Sequence, residues 1–161
     1  YLELSETKSL PRVASIQNAY NLVNRGFEIG LSEIAMQEQV GLLAYSPLAQ
    51  GTLTGKYLNG QMPQGSRLAL FGDTPLMMRY KGDKTQKAIE MYVEVAKKFE
   101  IDPTQLAIQF CNIQPFVTSN IIGATTMEQL KICIDSVHLD ITKEIMNEIR
   151  KVHKEIPNPA P

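Results

Sequence analysis

Ser46, Gly51, Gly55 and Lys56 follow directly on a short apolar run, Val40-Gly41-Leu42-Leu43-Ala44-Tyr45. That order suits an anion. A run of this length is what a parallel strand covered on both faces looks like. It stops at Ser46-Pro47. The glycines beyond let backbone N–H groups approach a phosphate, and the lysine supplies a point charge. A loop with Pro and Gly is equally a plain connector, and the spacing alone does not separate the two readings. A second polar turn lies near Gly123 and leads into Thr125-Thr126-Met127-Glu128, the Thr-x-x-Glu pattern that opens a helix. A helix start offers free N–H donors and a partial positive charge, which again suits phosphate.

The segment Ala44-Tyr45-Ser46-Pro47-Leu48-Ala49-Gln50-Gly51-Thr52-Leu53-Thr54-Gly55-Lys56-Tyr57 resembles the seventh-strand region of the aldo-keto reductases, in the branch that includes the potassium-channel beta subunits. Two further stretches match in the right order: Ser15-Ile16-Gln17-Asn18-Ala19-Tyr20-Asn21 upstream and Ile121-Ile122-Gly123-Ala124-Thr125-Thr126 downstream. The resemblance covers nearly the whole chain but not the front half of the family's barrel.

It implies an NADP(H) site whose residues are named position by position. Gln17 would hydrogen-bond the nicotinamide carboxamide, and Tyr45 would stack on the ring and shield the hydride path from water. Ser46, Pro47, Leu48, Ala49, Gln50 and Gly51 match the segment along the pyrophosphate, and Lys56 matches a phosphate-binding lysine. Arg67 stands where the family carries an arginine near the adenosine end, and a guanidinium suits bidentate phosphate contact. Gly123, Thr125 and Gln129 match cofactor contacts at the last helix start. The pattern breaks at two places. Relatives usually show Glu-Asn or a similar polar pair reaching the adenine where this chain has Ile132 and Cys133, and other branches carry an arginine at the position of Gln129. The adenine contacts and the choice between NADP and NAD are therefore left open. The family's Asp, Tyr, Lys and His tetrad comes from earlier strands, so no catalytic residue is assigned. Neither Tyr20 nor Tyr45 is the catalytic tyrosine by position.

With 161 residues the chain is one ordinary domain. Its 16 basic and 17 acidic side chains give a net charge of −1, which does not point to nucleic acid or an anionic membrane as partner. No apolar run approaches the roughly 18 residues of a membrane span, and no signal peptide opens the chain. Cys111 and Cys133 read as small buried hydrophobes of a reduced compartment. His138 and His153 have no partner spacing, so no metal site is expected. A cytoplasmic location follows as the default.

The elements that must position these groups alternate. Strands are expected at Arg12 to Tyr20, from Val40, and at Asn120 to Ala124. Helices are expected at Leu31 to Gln39, Lys84 to Phe99, from the Asp102-Pro103 start to about Asn112, from Thr125 to about Val137, and from Thr142 to His153. Leu58 to Asp83 reads as an irregular connection, longer than the about 12–15 residues that plain loops reach, and is expected to fold over bound cofactor as a clasp. Strands separated by helices mean a parallel sheet. The fold expected is the C-terminal portion of a (β/α)8 TIM barrel, because a full one needs about 250 residues. Tyr1-Leu2-Glu3-Leu4 resembles the end of a helix, so the chain reads as a piece of a longer protein. The complete protein would be an NADP-dependent oxidoreductase acting on a small carbonyl substrate, with the rest of the barrel required and homo-oligomerisation left open. The alternative is a nucleotide-binding regulatory subunit.

Overall fold

The computed structural model describes residues 1–161. In chain order its elements are α1 (Leu2–Thr7), β1 (Ser15–Ala19), α2 (Leu31–Gln37), β2 (Gly41–Tyr45), α3 (Arg67–Phe71), α4 (Pro75–Met78), α5 (Asp83–Lys98), α6 (Pro103–Asn112), β3 (Val117–Ile121), α7 (Met127–Asp135) and α8 (Lys143–Glu155), with 3-10 turns between some of them. The strands form one parallel sheet in the order β1-β2-β3. Pairing runs from Ser15–Gly41 to Ala19–Tyr45 on one side of β2, and from Leu42–Val117 to Tyr45–Ile121 on the other. A register shift between Leu42 and Leu43 leaves Thr118 out of the ladder. A Cβ at Gly41 would run into the Thr118 hydroxyl, so this close approach requires glycine.

One face of the sheet carries the core. Leu42 and Ala44 are fully buried, whereas Leu43 and Tyr45 point the other way and stay half-buried. Ala88, Ile89, Tyr92 and Val93 of α5, Leu106, Ala107 and Phe110 of α6, and Ile145, Ile149 and Val152 of α8 recur at helical spacing and join the same cluster. Tyr20 stacks on Phe110 with centroids 5.8 Å apart and meets Phe116 edge-on at 5.2 Å. Asp102 caps α6, accepting hydrogen bonds from the Thr104 and Gln105 N–H groups, with Pro103 in the first turn. Both cysteines are free and buried. No helix is long and apolar enough to cross a membrane.

Three expectations need correction. The third strand is Val117–Ile121 rather than Asn120 to Ala124. Its pairing partner β2 ends opposite Ile121, so residues 122–124 have no ladder to join and become a turn. The first strand is shorter than Arg12 to Tyr20 for a related reason: only Ser15–Ala19 have partners in β2. The connection from Leu58 to Asp83 is not wholly irregular, since it contains α3 and α4. Ser66 caps α3 by accepting from the Ala69 N–H, and Pro75 opens α4 after Thr74.

A polar group is set into the core beside the aromatic stack. Arg25 donates from Nε and Nη2 to the Glu28 carboxylate at 2.7 and 2.8 Å, and the Tyr20 hydroxyl donates to the same carboxylate at 2.6 Å. The guanidinium also lies 5.1 Å from the Phe110 ring centroid. Burial penalises the Glu28 charge, but the hydrogen bonds from Arg25 and Tyr20 outweigh it and hold its pKa below the ordinary value. His153 is set beside this group with its Nδ1 buried and unpartnered. Burial and then the Arg25 charge push its pKa below the usual 6.5, against an opposing pull from Glu28. The unfolded chain therefore takes up this proton first as pH falls. The contribution of His153 is fully present above about pH 6.5 and is lost as pH drops from there toward the folded-state value. Thermal unfolding followed from about pH 7.5 to about pH 5 should show this decline, and His153→Gln should flatten it. An unchanged slope in the variant would assign the decline to other groups.

Candidate functional site

The turn after β2 departs from ordinary backbone geometry. Ser46, Ala49 and Gln50 have φ of 56°, 49° and 60°, and Gly51 and Gly55 follow at 91° and 79°. Such conformations at non-glycine residues cost on the order of 1–3 kcal/mol each and persist only where the surroundings impose them. Asn21 does much of that. It is fully buried, donates from Nδ2 to the Ser46 carbonyl at 2.9 Å, and accepts at Oδ1 from the Val23 and Asn24 N–H groups at 3.0 and 2.9 Å. One side chain thus ties the turn after β1 to the turn after β2. Sequence reasoning places Asn21 only as a neighbour of Tyr20. The signal available was an amide just past a strand end with a second Asn three residues on, a pattern suited to a tight turn.

These two turns and the one after β3 lie at the same end of the sheet, and a cleft of about 620 Å³ opens there. Ser46, Pro47, Leu48, Gln50 and Gly51 line it from the turn after β2. Lys56 joins them, as do Arg67 at the start of α3 and Gly123, Thr125 and Gln129 from the approach to α7. Three of the residues selected from sequence do not line it. The Ala49 side chain is fully buried beneath the turn. Gln17 and Tyr45 lie on the sheet face opposite the core, Gln17 exposed beside Leu43 and Tyr45 half-buried at the strand end. A larger hollow of about 760 Å³, bounded by Tyr57, Leu68, Phe71, Met77 and Tyr80, contains none of the selected residues.

The charged groups of the cleft are both cations. Arg67 reaches from α3 to donate from Nη1 to Gln50 Oε1 at 2.7 Å, and its Nη2 lies 3.9 Å from where a Cβ of Gly123 would stand. Gln50 in turn donates to the Ser46 hydroxyl at 2.9 Å. The lysine folds over Gly51, with Nζ 3.2 Å from a Cβ built there and 5.1 Å from the Tyr57 ring centroid. Neither cation has a carboxylate partner, and no Asp or Glu lines the cleft. The cap of α7 is one residue later than the sequence pattern implies. Thr126, not Thr125, is the cap and accepts from the Gln129 N–H at 3.2 Å, while Gln129 Oε1 accepts from the Thr125 N–H and hydroxyl at 3.1 Å. Gln129 takes the capping place expected for Glu128, whose carboxylate remains in the first turn of α7 but does not line the cleft.

The model of the aldo/keto reductase family matches residues 2–154. The chain belongs to the aldo/keto reductase family. Among its relatives, protein Tas of Escherichia coli is 50% identical over the whole chain, which spans 46% of that protein. The L-glyceraldehyde 3-phosphate reductase of E. coli is 37% identical over 71% of this chain and 34% of its own length. A probable voltage-gated potassium channel subunit beta of Oryza sativa is 35% identical over 84% of the chain and 42% of its own length. The solved structure of a glycerol dehydrogenase from Gluconobacter oxydans superposes with a TM-score of 0.73 at 20% identity, covering 97% of this chain and 47% of that one. The fold is thus that of part of a (β/α)8 barrel, and the chain spans about half the length of the curated relatives it matches.

In this member of the aldo/keto reductase family the joint between the first two turns rests on Asn21. Asn21→Ala leaves the buried Val23 N–H without a partner, while the Ser46 carbonyl keeps the Ala49 N–H and the Asn24 N–H keeps the Asn21 main-chain carbonyl; a buried unsatisfied group costs about 1–3 kcal/mol. Urea unfolding should therefore show a loss of at least about 1 kcal/mol. A midpoint equal to that of the unaltered chain would show that the turn holds its shape without this amide.

Proposed function

We propose that this chain supplies the phosphate-holding part of an NADP(H) site, and that the complete protein is an NADP-dependent reductase of small carbonyl compounds. The observation that supports this reading most is the charge of the cleft: Lys56 and Arg67 without acidic partners, beside the start of α7. Two free cations and a helix N-terminus facing one cleft suit a ligand carrying several phosphate charges. Ser46, Pro47, Leu48, Gln50 and Gly51 would follow the pyrophosphate, and Ala49 would contribute through its backbone. Gly123, Thr125 and Gln129 would meet the adenosine end. Gln17 and Tyr45 share one face of the sheet, which suits a flat ring laid against Tyr45 with its carboxamide held by Gln17. The bound cofactor supplies the hydride, and this chain's part is to hold and orient it while excluding water.

The proton that must accompany the hydride has no donor here. Of the tyrosines nearest the strand ends, Tyr20 is buried and hydrogen-bonded to Glu28, with its pKa pushed far up by burial and by that carboxylate. It cannot act as an acid on a substrate. The rest of the barrel would provide the donor, in a cytoplasmic protein. A regulatory reading, in which occupancy of the same cleft biases a partner, is supported by the likeness to channel beta subunits and uses the same residues.

Two outcomes follow. The 161-residue chain should bind NADPH yet reduce no aldehyde, since general acid–base catalysis alone is worth about 10²–10⁴-fold. Turnover of a reactive aldehyde by the purified chain at ordinary enzymatic rates would sink this division of labour. Arg67→Ala should weaken NADPH binding roughly 10- to 150-fold, from about 1.5–3 kcal/mol for a hydrogen bond to a charged group. A much smaller loss for NADH would put Arg67 at the 2′-phosphate, and equal losses would put it at the pyrophosphate. Unchanged affinity for both, by fluorescence titration, would remove Arg67 from the site.

A further inference from the structure

Lys56 and Arg67 are the charges of the cleft, yet they are separated in the chain by an exposed stretch, Gln61 to Gly65. Arg67 opens α3, which spans five residues, too short a helix to keep its shape without outside bonds. The first N–H groups of any helix lack an acceptor within it. Here the Ser66 hydroxyl takes the Ala69 N–H, and the Tyr57 hydroxyl takes the Leu68 N–H at 3.3 Å. The second bond joins α3 to the residue directly after Lys56. The ring of that tyrosine lies 5.1 Å from Lys56 Nζ, within the roughly 6 Å over which a cation is drawn to an aromatic face. Its hydroxyl lies 3.6 Å from where a Cβ of Gly51 would stand, and Lys56 Nζ lies 3.2 Å from the same point. Tyr57 is 6% exposed, stands outside the main core cluster, and bounds the larger hollow rather than the cleft. It is thus neither part of that core nor part of the cleft lining.

We propose that Tyr57 is a positioning residue for the cleft: its hydroxyl anchors the first turn of α3, and with it Arg67, while its ring carries the Lys56 ammonium, so that one buried side chain fixes the spacing of the two cations. The proposal rests on the cofactor reading above and names what holds its phosphate contacts in place. Two long cationic side chains must each be immobilised when they close on an anion, and that ordering opposes binding. Tyr57 removes part of the cost in advance. The hydroxyl acts through Arg67 and the ring through Lys56, so substitution can separate the two. Tyr57→Phe deletes the hydroxyl and keeps the ring, and Tyr57→Leu deletes both.

The anchoring of α3 is read first without ligand, from the exchange of the Leu68 amide with water by NMR. Tyr57→Phe should speed that exchange roughly 2- to 12-fold, the worth of one neutral hydrogen bond. The Thr104 amide, held by the Asp102 cap of α6, should exchange as before. NADPH is then titrated into the 161-residue chain by nicotinamide fluorescence. Tyr57→Phe should weaken binding by the same roughly 2- to 12-fold, and this loss should vanish in the Arg67→Ala background. Tyr57→Leu should weaken it roughly 2- to 5-fold further, and the additional loss should vanish in the Lys56→Ala background. A side chain that merely stabilised the fold would add its loss to both backgrounds alike. Additive losses therefore overturn the proposal, as does unchanged affinity in Tyr57→Phe or a Leu68 amide that exchanges no faster there. If Tyr57→Leu does not fold, the cycle of Tyr57→Phe with Arg67→Ala decides by itself. Failure of the unaltered chain to bind NADPH removes the cofactor reading, and the exchange rate still decides whether Tyr57 anchors α3.

Discussion

Parallel strands cannot be joined by tight turns, so every strand-to-helix turn must leave the sheet at the same end. The rest of this molecule depends on that constraint. Ala19, Tyr45 and Ile121 are paired in one row across β1, β2 and β3, and the chain turns just past each of them. Groups far apart in sequence are thereby gathered: Asn21 after the first strand, Ser46 to Lys56 after the second, Gly123 to Gln129 after the third. The hydrogen bond from Asn21 to the Ser46 carbonyl links the first two turns. The reach of Arg67 to Gln50 and toward Gly123 links the second to the third. The core has no direct part in the cleft. It matters because Leu42 and Ala44 anchor β2 so firmly that the strained turn at its end has a rigid base.

How much of this was legible in sequence depended on whether the signal was local. The Asp102-Pro103 helix start and the Ile145, Ile149 and Val152 stripe are local, since caps and helical periodicity depend on nearby residues alone, and the structure shows both. Strand β2 is an uninterrupted apolar run and was equally plain. The third strand was not, because Val117-Thr118-Ser119-Asn120-Ile121 mixes polar and apolar residues and three of its five residues lie exposed. Its limits are set by where β2 ends, which a reading of its own residues cannot supply. The short helices α3 and α4 were hidden for another reason. Each is a few residues long, and their caps at Ser66 and Thr74 resemble ordinary loop residues until the Tyr57 hydroxyl, accepting from the Leu68 N–H at 3.3 Å, is seen to support the first of them. In the cleft, resemblance selected ten of the 21 lining residues, but Asn21 was not selected because its role is to hold a backbone rather than to touch a ligand.

The hydrogen bond between Arg67 and Gln50 sets the terms on which the cleft could hold an anion. A guanidinium bonded to a neutral amide keeps its full charge, since no carboxylate neutralises it. Charge-assisted bonds are roughly twice as strong as neutral ones, so a phosphate oxygen would compete well for the same N–H groups. The exchange would release Gln50, whose other end bonds the Ser46 hydroxyl. The relay Arg67–Gln50–Ser46 therefore runs across the mouth of the cleft and connects its rim with its strained base. An exposed arginine near a surface is weakly attracted to a distant anion, because salt screens the field over about 10 Å. At contact distance the geometry of the fork counts more than the field, and the fork is already pointed inward.

The sheet face opposite the core stands apart from the cleft, and the ring contacts and phosphate contacts proposed above therefore differ in what they need. Gln17 is exposed, Leu43 and Tyr45 are half-buried, and Ile121 is 42% exposed on that face, whereas the turn after β2 is enclosed in a cleft together with α3 and the approach to α7. A charge-based contact survives partial solvation, as two cations and a helix start can gather an anion at an open surface. Stacking and a directed amide contact do not act in the same way. Their worth comes from excluding water on both sides of the ring, and here one side is open. The cleft proposed to hold the phosphates is thus complete in local structure. Gln17 and Tyr45 share one open face of the sheet, so the selectivity of the ring contact proposed for them would be set by whatever packs against them from the other side.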